Sequence, residues 1–381
     1  EERPWAVHIE LPGGGAAEGV DIKIESLSKI LEVGRPIIRC EMFFILKKEM
    51  ENCKTPTLLI WAGANRQCLS KYLTKIVERY NMPFFTSQMW KWVVDESLQQ
   101  NLWTAALTDW DYIHKAIEKA DLIISIWYDP IEKPTKVLNW EKVKLIHINY
   151  HPIKTDYVYS PDLEVVWDIW NILWQLYEAD IDNSLWDFRE IYKINSENKK
   201  IIEDNLKLED DFDIMMPRKL VKDLRETLWE EDILALDNWL YKVWIARNYT
   251  TYHPGTLLLD NALATMWAWL ASAMEAKRLN QDKNVVCVTW DWWLVMNLWD
   301  LETAVRLKLD IVLVVLNNSS YGMIKWKQNW AWFSDFWLDF WNPDFVKLAD
   351  SFWAIWYKVK NKNDFKWVLE KSLKNKWITI I

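Results

Sequence analysis

The segment that most constrains the fold lies between residues 284 and 328, where two apolar, β-branched runs flank an amphipathic stretch. The runs NVVCVT and DIVLVVL have the composition of buried strands. Between them, apolar residues repeat at helical spacing, at Leu294, Leu298, Leu301 and Val305. The segment therefore predicts a strand, a helix and a second, parallel strand, joined by a right-handed crossover.

Two polar residues follow these strands. Asp291 ends the first strand and Asn318 follows the second. Because neighbouring parallel strands end at the same sheet edge, both side chains are expected there, where doubly wound proteins bind ligands. Carboxylate, amide and carbonyl oxygens suit Mg²⁺, and a helix that starts after Asp291 would attract a diphosphate. The alternative is a pair of residues that only cap the strand ends.

This pattern resembles the thiamine diphosphate (ThDP) motif, in which GDG is followed one strand later by NN. The runs LETAVRLKLDIV and YGMIKWKQ are similar to acetolactate synthase, in the pyruvate-decarboxylating branch of ThDP enzymes. Further resemblance covers essentially the whole chain, in RPWAVHIELP, WAGANR, QMWKWVVDE, LIHINYHP and LDNALATMWAWLASAMEAKR. The run IWYDPIEKP, at 126–134, resembles the catabolic type.

The resemblance implies a ThDP- and Mg²⁺-dependent condensation of two pyruvates to 2-acetolactate, with loss of CO₂. The product would serve branched-chain amino acid biosynthesis or a catabolic route. In the family the cofactor lies between two subunits, which implies a homodimer or homotetramer. Two alternatives stay open: another ThDP-dependent 2-oxo acid decarboxylase, and a non-catalytic binding or assembly fragment.

The resemblance also assigns site residues. Metal ligands would be Asp291, Asn318 and the backbone carbonyl of Ser320. Met266 would wedge beneath the cofactor and hold it bent, although a gap-filling core methionine is the alternative. The full set of expected cofactor-binding positions is Ala264, Met266, Asp291, Trp292, Trp293, Asn318, Ser320, Tyr321, Gly322, Met323 and Ile324.

Trp326 and Gln328 would shape the substrate pocket. The alternative is nearly as good: Trp326 would be a packed aromatic residue and Gln328 a solvated amide without a role in binding. No catalytic residue is assigned, because the family's glutamate that protonates the pyrimidine lies in a first domain that this chain is expected to lack. The loop AGANR at 62–66 could hold a nucleotide phosphate. FAD is not expected, since the segment 126–134 resembles the type without it.

The fold class predicted for the chain is α/β, with two Rossmann-like, doubly wound parallel-sheet domains. Strand-like runs alternate with helical stretches, which is typical of such sheets. The expected division is a domain exit and connector at 1–40, a middle domain at 41–178, a linker at 179–212 and a ThDP diphosphate-binding domain at 213–381.

The amino-acid composition limits the cellular environments and the binding partners expected for this chain. The formal net charge of −9 without a basic run argues against nucleic acid and anionic membranes as partners. The four cysteines have no CxxC spacing, which favours reduced thiols of a cytoplasmic protein. No apolar run reaches the length that crosses a bilayer.

One departure from the family pattern concerns tryptophan. The family's glycines around its aspartate correspond to Trp290, Trp292 and Trp293 here. Glycine would be expected at 26 of the 30 tryptophan positions, the exceptions being Trp174, Trp186, Trp244 and Trp326. Only 8 glycines remain in the 381 residues, about 2% against a usual level of about 7%.

Glycine stands at such turns because the backbone needs positive φ or close approach, and an indole permits neither. Either the native protein has glycine there, or the chain neither folds normally nor binds its cofactor. Overpacking changes cost about 1–3 kcal/mol each, so this many would exceed the stability of a domain, which is about 5–15 kcal/mol. Glycine in the native protein is therefore the expected alternative.

Overall fold

The computed structural model describes residues 37–61, 67–105, 112–128, 143–153, 159–208, 214–238, 240–259, 266 and 268–381. These residues form two α/β units, each built on a six-stranded sheet in which every strand pairing is parallel. The predicted fold class is thereby confirmed. In the described part of the chain, no helix combines the length and apolar character needed to span a bilayer.

The first sheet has the strand order β3-β2-β1-β4-β5-β6, which is the order of doubly wound nucleotide-binding sheets. Its central strands PTLLI and LIISI are buried along their whole length, as apolar runs covered by helices on both faces should be. The strands are β1 Pro56–Ile60, β2 Phe84–Thr86, β3 Asn101–Thr104, β4 Leu122–Ile126, β5 Lys144–Asn149 and β6 Leu163–Val166.

The helices of this unit include a long, highly charged one at the position predicted for a solvated linker. One stripe of it is nevertheless core, because Ile191 and Ile202 are buried in a cluster with Leu59 and Phe85 of the first sheet. The helices are α1 Cys40–Glu51, α2 Gln67–Tyr80, α3 His114–Ile117, α4 Ile169–Glu178 and α5 Arg189–Lys207.

The second sheet has the order β11-β12-β10-β9-β7-β8. From β7 the chain adds β8 on one side, and it then continues with β9 on the other. This change of direction makes the β7–β9 boundary a switch point, where ligands bind at the carboxyl edge. The strands are β7 Ile233–Leu236, β8 Leu257–Leu259, β9 Val285–Trp290, β10 Ile311–Leu316, β11 Ile355–Trp356 and β12 Thr379–Ile380.

The single amphipathic helix predicted after β9 is in fact two helices. The first begins at Asp291 itself, without an intervening loop, and the break falls at Asn297. The helices of this unit are α6 Pro217–Thr227, α7 Leu240–Asn248, α8 Ala268–Leu279, α9 Asp291–Met296, α10 Leu298–Arg306, α11 Gly322–Trp330, α12 Phe345–Ser351 and α13 Phe365–Ser372.

A buried ion pair of the first unit lies where the two units meet. Lys91, beyond β2, donates from Nζ to both carboxylate oxygens of Glu96 at 3.0 Å, and both side chains are almost fully inaccessible. Thr251 of the second unit closes the arrangement, because its backbone N–H donates to Glu96 Oε2 at 2.9 Å and its carbonyl accepts from the Glu96 N–H at 3.0 Å. The Thr251 hydroxyl donates to the Lys91 carbonyl. These three hydrogen bonds of Thr251 therefore connect the second unit to the segment that carries the desolvated charge pair.

Glu96→Ala should destabilise the chain by about 3–5 kcal/mol, because it leaves the Lys91 ammonium buried without its partner. Urea unfolding of the variant measures this loss. The matched control is Glu302→Ala, which breaks the exposed Arg306–Glu302 pair and should change stability little. Equal effects of the two substitutions would contradict the assigned role of the buried pair.

Candidate functional site

The candidate site lies at the carboxyl edge of the second sheet, where β9 and β10 end. The two strands pair in parallel from Val285–Ile311 to Trp290–Leu316, so the residues that follow them leave the sheet side by side. The backbone N–H of Asn318 donates to Asp291 Oδ2 at 3.0 Å. The structure thus brings the two predicted metal ligands together, and metal binding by them stays a prediction.

The carboxylate of Asp291 is completely buried and is oriented by several N–H groups. Its Oδ2 accepts from the backbone of Asn318 at 3.0 Å and of Ser319 at 2.7 Å, and from Asn342 Nδ2 at 2.7 Å. Its Oδ1 accepts from the backbone N–H of Trp292 at 2.7 Å. Such a set of donors fixes the position of a buried carboxylate.

The side chain of Asn318 is held from two sides. Its Oδ1 accepts from Trp290 Nε1 at 2.7 Å and from the backbone N–H of Ser320 at 3.1 Å. A Cβ at Gly322 would lie 3.2 Å from Asn318 Nδ2, so the missing side chain there gives the amide its room. The Ser320 hydroxyl donates to the carbonyl of Leu338 at 3.3 Å, away from Asp291.

Aromatic rings line the same edge. The Trp292 ring lies 5.0 Å from Phe340, and the Tyr321 ring lies 5.0 Å from Phe340 and 6.1 Å from the buried Trp293. Burial raises the pKa of Tyr321, and the nearby charge of Asp291 raises it further. Trp290 stacks on Tyr241 with 5.9 Å between ring centroids. The polar core of the site is therefore covered by aromatic side chains.

The other predicted positions are exposed or half-buried, or lie outside the described residues. Met266 is 39% exposed in the connection between β8 and α8. On α11, Ile324 and Trp326 are exposed, whereas Met323 and Gln328 are half-buried. The predictions for Ala264, for the AGANR loop and for residues 129–134 fall on residues that the structure does not describe.

Sequence reasoning missed Asn342. Its Nδ2 lies 2.7 Å from Asp291 Oδ2, 2.9 Å from Asn317 Oδ1 and 3.2 Å from Ser319 Oγ. One amide therefore ties the end of β9 to the loop after β10. Only the Asn-Pro turn before α12 marks this residue in the sequence, and such a turn does not reveal a contact with a residue 51 positions earlier.

Asp237 is a second residue that sequence reasoning did not single out. It follows β7, next to β9, and accepts from the Thr289 hydroxyl at 3.1 Å and from the Asn238 N–H at 2.7 Å. Burial raises the pKa of Asp237 to about 8, although these two donors and the charge of Lys242 oppose the shift. The switch point thus has a carboxyl group on each side, Asp237 and Asp291.

The chemistry of these donors fits Mg²⁺ and a diphosphate. A carboxylate, an amide oxygen and a loop carbonyl are hard oxygen ligands of the type that Mg²⁺ combines with phosphate and water. The indole of Trp290 and the backbone N–H of Ser320 compete with a cation, since both donate to the amide oxygen of Asn318. No cluster of three or more His, Cys, Asp or Glu side chains suited to a metal occurs among the described residues.

The fold and this edge define a doubly wound α/β protein with a cluster of oxygen donors at the carboxyl ends of β9 and β10, beside its switch point. Comparison with known families gives two matches: the thiamine pyrophosphate enzyme central domain over residues 46–176, and the thiamine pyrophosphate enzyme C-terminal TPP binding domain over residues 240–381. The chain therefore belongs to the thiamine pyrophosphate enzymes and contains their central and C-terminal domains.

Curated relatives agree with this assignment. The chain is 28% identical over 329 residues to the acetolactate synthase of Bacillus subtilis (strain 168), a match that covers 85% of this chain and 57% of that protein. It is 25% identical over 396 residues to the probable acetolactate synthase large subunit of Methanococcus aeolicus, covering 97% and 65%. It is 26% identical over 250 residues to the catabolic acetolactate synthase of Raoultella terrigena, covering 65% and 44%.

The chain thus spans 57% of the length of the first of these relatives and 65% of the second. Both figures are below two thirds.

Asn342→Ala should lower stability by about 1–3 kcal/mol, because it removes a hydrogen bond to the buried carboxylate of Asp291. Urea unfolding measures the change. Asn329→Ala, at an exposed position of α11, is the matched control and should stay within about 0.5 kcal/mol of the unsubstituted chain. If both variants unfold at the same urea concentration, Asn342 does not hold Asp291.

Asp237→Asn should alter the pH dependence of stability. Because the folded-state pKa, about 8, lies above the unfolded one, the protonated carboxyl stabilises fully below about pH 4 and this contribution disappears as the pH rises through about 8. The unsubstituted chain should lose stability relative to Asp237→Asn over that range.

Melting temperatures of both proteins between about pH 4 and 9 test this expectation. Burial also raises the pKa of Glu96, so the informative quantity is the difference between the two curves. Parallel curves would contradict a protonated Asp237.

Proposed function

We propose that this chain is the central and diphosphate-binding part of an acetolactate synthase, which joins two pyruvates into 2-acetolactate with loss of CO₂. The contact that carries the proposal is that of Asp291 with the backbone of Asn318 and Ser319, because it brings a carboxylate close to an amide at the carboxyl ends of β9 and β10, next to the switch point. The acetolactate synthases among the relatives favour pyruvate as the substrate.

In this proposal Asp291, Asn318 and the carbonyl of Ser320 would hold Mg²⁺. The metal would neutralise the cofactor's diphosphate and fix it at this edge. ThDP, when bound, supplies an electron sink for the carbanion left by decarboxylation. Orientation of the carboxylate by Asn342 and by the Asn318 and Ser319 N–H groups fixes the metal position before the ligand arrives.

We propose that Met266, Trp326 and Gln328 face the organic part of the cofactor and the substrate. An exposed Met266 suits a residue that packs under a ligand better than a gap-filling core methionine does. Trp326 is 56% exposed, so it is not a packed core aromatic residue. Gln328 has a buried Oε1 that makes no hydrogen bond to another described residue, which makes this oxygen available to a donor on a ligand.

The aromatic rings of Tyr321 and Phe340 are proposed to shield the site from water. Both lie against the edge that holds Asp291, and a dry environment strengthens the interaction of a carboxylate with a cation. Tyr321 and Gly322, with Met323 and Ile324, begin α11 at this edge and would line the diphosphate and the thiazolium face.

The assembly is proposed to be a homodimer or homotetramer, as in the family that the sequence resembles. A catabolic role is proposed because the segment 126–134 resembles the catabolic type. A cytoplasmic location is proposed from the cysteine pattern. FAD is not part of the proposal.

Asp291→Ala in the full-length product of the gene should abolish Mg²⁺-dependent binding of ThDP. The substitution removes the only carboxylate of the proposed ligand set, and heat of binding in calorimetry measures the effect. Asp300→Ala, in the first turn of α10 and outside the site, is the matched control and should bind as before. Undiminished binding by Asp291→Ala would refute the assigned metal site.

Product analysis with pyruvate as sole substrate tests the reaction itself. The proposal requires a five-carbon acid, 2-acetolactate, together with CO₂. An aldehyde as the sole organic product would identify a decarboxylase instead. Absence of any heat on addition of ThDP and Mg²⁺ to the full-length protein would favour a non-catalytic module.

A further inference from the structure

Tryptophan occupies backbone conformations that favour glycine. Eight described non-glycine residues have positive φ, and five of them are tryptophans. A bulky residue is a genuine outlier in this region, whereas glycine enters it freely. The five are Trp103 (69°), Trp127 (60°), Trp332 (63°), Trp337 (55°) and Trp353 (57°). None belongs to the four tryptophans that the sequence identifies as ordinary.

Two of these residues end helices in a motif built around glycine. After α12, Trp353 N–H donates to the Asp350 carbonyl at 3.0 Å, and Ala354 N–H donates to the Ala349 carbonyl at 3.0 Å. This pair of hydrogen bonds defines a Schellman motif, whose left-handed residue is usually glycine. Trp353 is that residue.

The end of α11 repeats the arrangement. Trp332 N–H donates to the Asn329 carbonyl at 3.1 Å, and Phe333 N–H donates to the Gln328 carbonyl at 2.9 Å. The left-handed position is again a tryptophan, and its side chain is 95% exposed. Its ring therefore gains no burial that could offset the backbone strain.

Trp103 lies in a β-bulge. Phe84 of β2 pairs with Asn101, and Thr86 pairs with Thr104, so two residues of β3 face a single residue of β2. A left-handed residue in a bulge is characteristically glycine. The indole N–H of Trp103 is buried without a hydrogen-bond partner among the described residues, which is costly for an indole.

The ordinary Trp186 provides a contrast within the same chain. Its Nε1 donates to the Met50 carbonyl at 2.9 Å, and its ring packs edge-to-face on Tyr80 at 5.8 Å. This is how a half-buried tryptophan normally satisfies its polar atom. Trp269, at a glycine position, has a buried Nε1 without such a partner among the described residues. Trp186 thus satisfies its polar atom, whereas the buried indoles of Trp103 and Trp269 do not do so within the described part of the chain.

We infer that the gene has one and the same codon at 26 of the tryptophan positions, and that the organism that makes this protein translates this codon as glycine. A different codon specifies the other four residues, Trp174, Trp186, Trp244 and Trp326. UGG is the standard tryptophan codon. UGA is read as stop, tryptophan or glycine in different genetic codes, so UGA is the codon expected at the 26 positions. The inference is independent of the proposed function, because it rests on the backbone geometry of five described tryptophans, most of them far from the candidate site in the sequence.

The inference has a direct effect on the candidate site. Glycine at 290 removes one of the two donors to Asn318 Oδ1, the indole, and leaves the Ser320 N–H as the other. Glycine at 292 removes the ring that lies 5.0 Å from Phe340 beside Asp291. The native site is consequently more open above the carboxylate, and the amide oxygen has a free position for a cation.

The codons in the gene and the mass of the protein purified from its own cells test the inference. We expect one codon at the 26 positions and another at the four, together with an intact mass lower by kilodaltons than the mass calculated for the gene product with tryptophan at the 26 positions. Tandem mass spectra of native peptides should have glycine at 332 and 353. One codon shared by all 30 tryptophans, or native peptides with tryptophan at 332 and 353, would overturn it. Neither measurement depends on cofactor binding, so failure here is distinguishable from failure of the proposed function.

A stability comparison provides a second test. Synthetic genes yield two full chains, one with tryptophan at all 30 positions and one with glycine at the 26. The glycine chain should melt at the higher temperature, and retaining Trp353 in it should lower the melting temperature by at least about 2–4 °C. Trp186→Gly in the same chain is the control and should also be destabilising, since that indole is used. A higher melting temperature for the all-tryptophan chain would overturn the inference.

Discussion

The candidate site depends on one interaction: the carboxylate of Asp291 accepts hydrogen bonds from two consecutive backbone N–H groups. Those N–H groups belong to Asn318 and Ser319, in the loop that follows the neighbouring strand. The interaction joins the ends of β9 and β10 where backbone pairing within the sheet has stopped. Asn342 adds a third tie from a more distant turn. Without this carboxylate, three segments of chain at the sheet edge would lose their common partner.

The register of the sheet explains why the two ligands meet. β9 and β10 share six consecutive pairs, so any shift of one strand would separate Asp291 from Asn318. The apolar strands that set this register belong to the core, where Val286, Val288, Val312 and Val314 are buried together. The burial of these apolar side chains therefore determines where Asp291 and Asn318 lie, although neither residue is part of the apolar core.

Much of this could be predicted from the sequence. Long apolar runs predict buried strands, as NVVCVT does for β9 and DIVLVVL for β10, because buried parallel strands have few alternatives. β3 and β11 have no such run, since NLWT contains a bulge and β11 has only two residues. The pairing of Asp291 with Asn318 followed from crossover geometry. Asn342 and the pKa of Asp237 could not be predicted, because both result from tertiary contacts that leave no periodic signal.

The ion pair between Lys91 and Glu96 has a consequence for motion between the two units. Thr251, which binds Glu96, lies a few residues before β8, and β8 leads to the segment that contains Met266. Separation of the units would have to break the hydrogen bonds of Thr251 to Glu96 and to the Lys91 carbonyl. Thr251 is thereby anchored to the first unit, so the start of β8 should keep its position relative to that unit while ligands exchange.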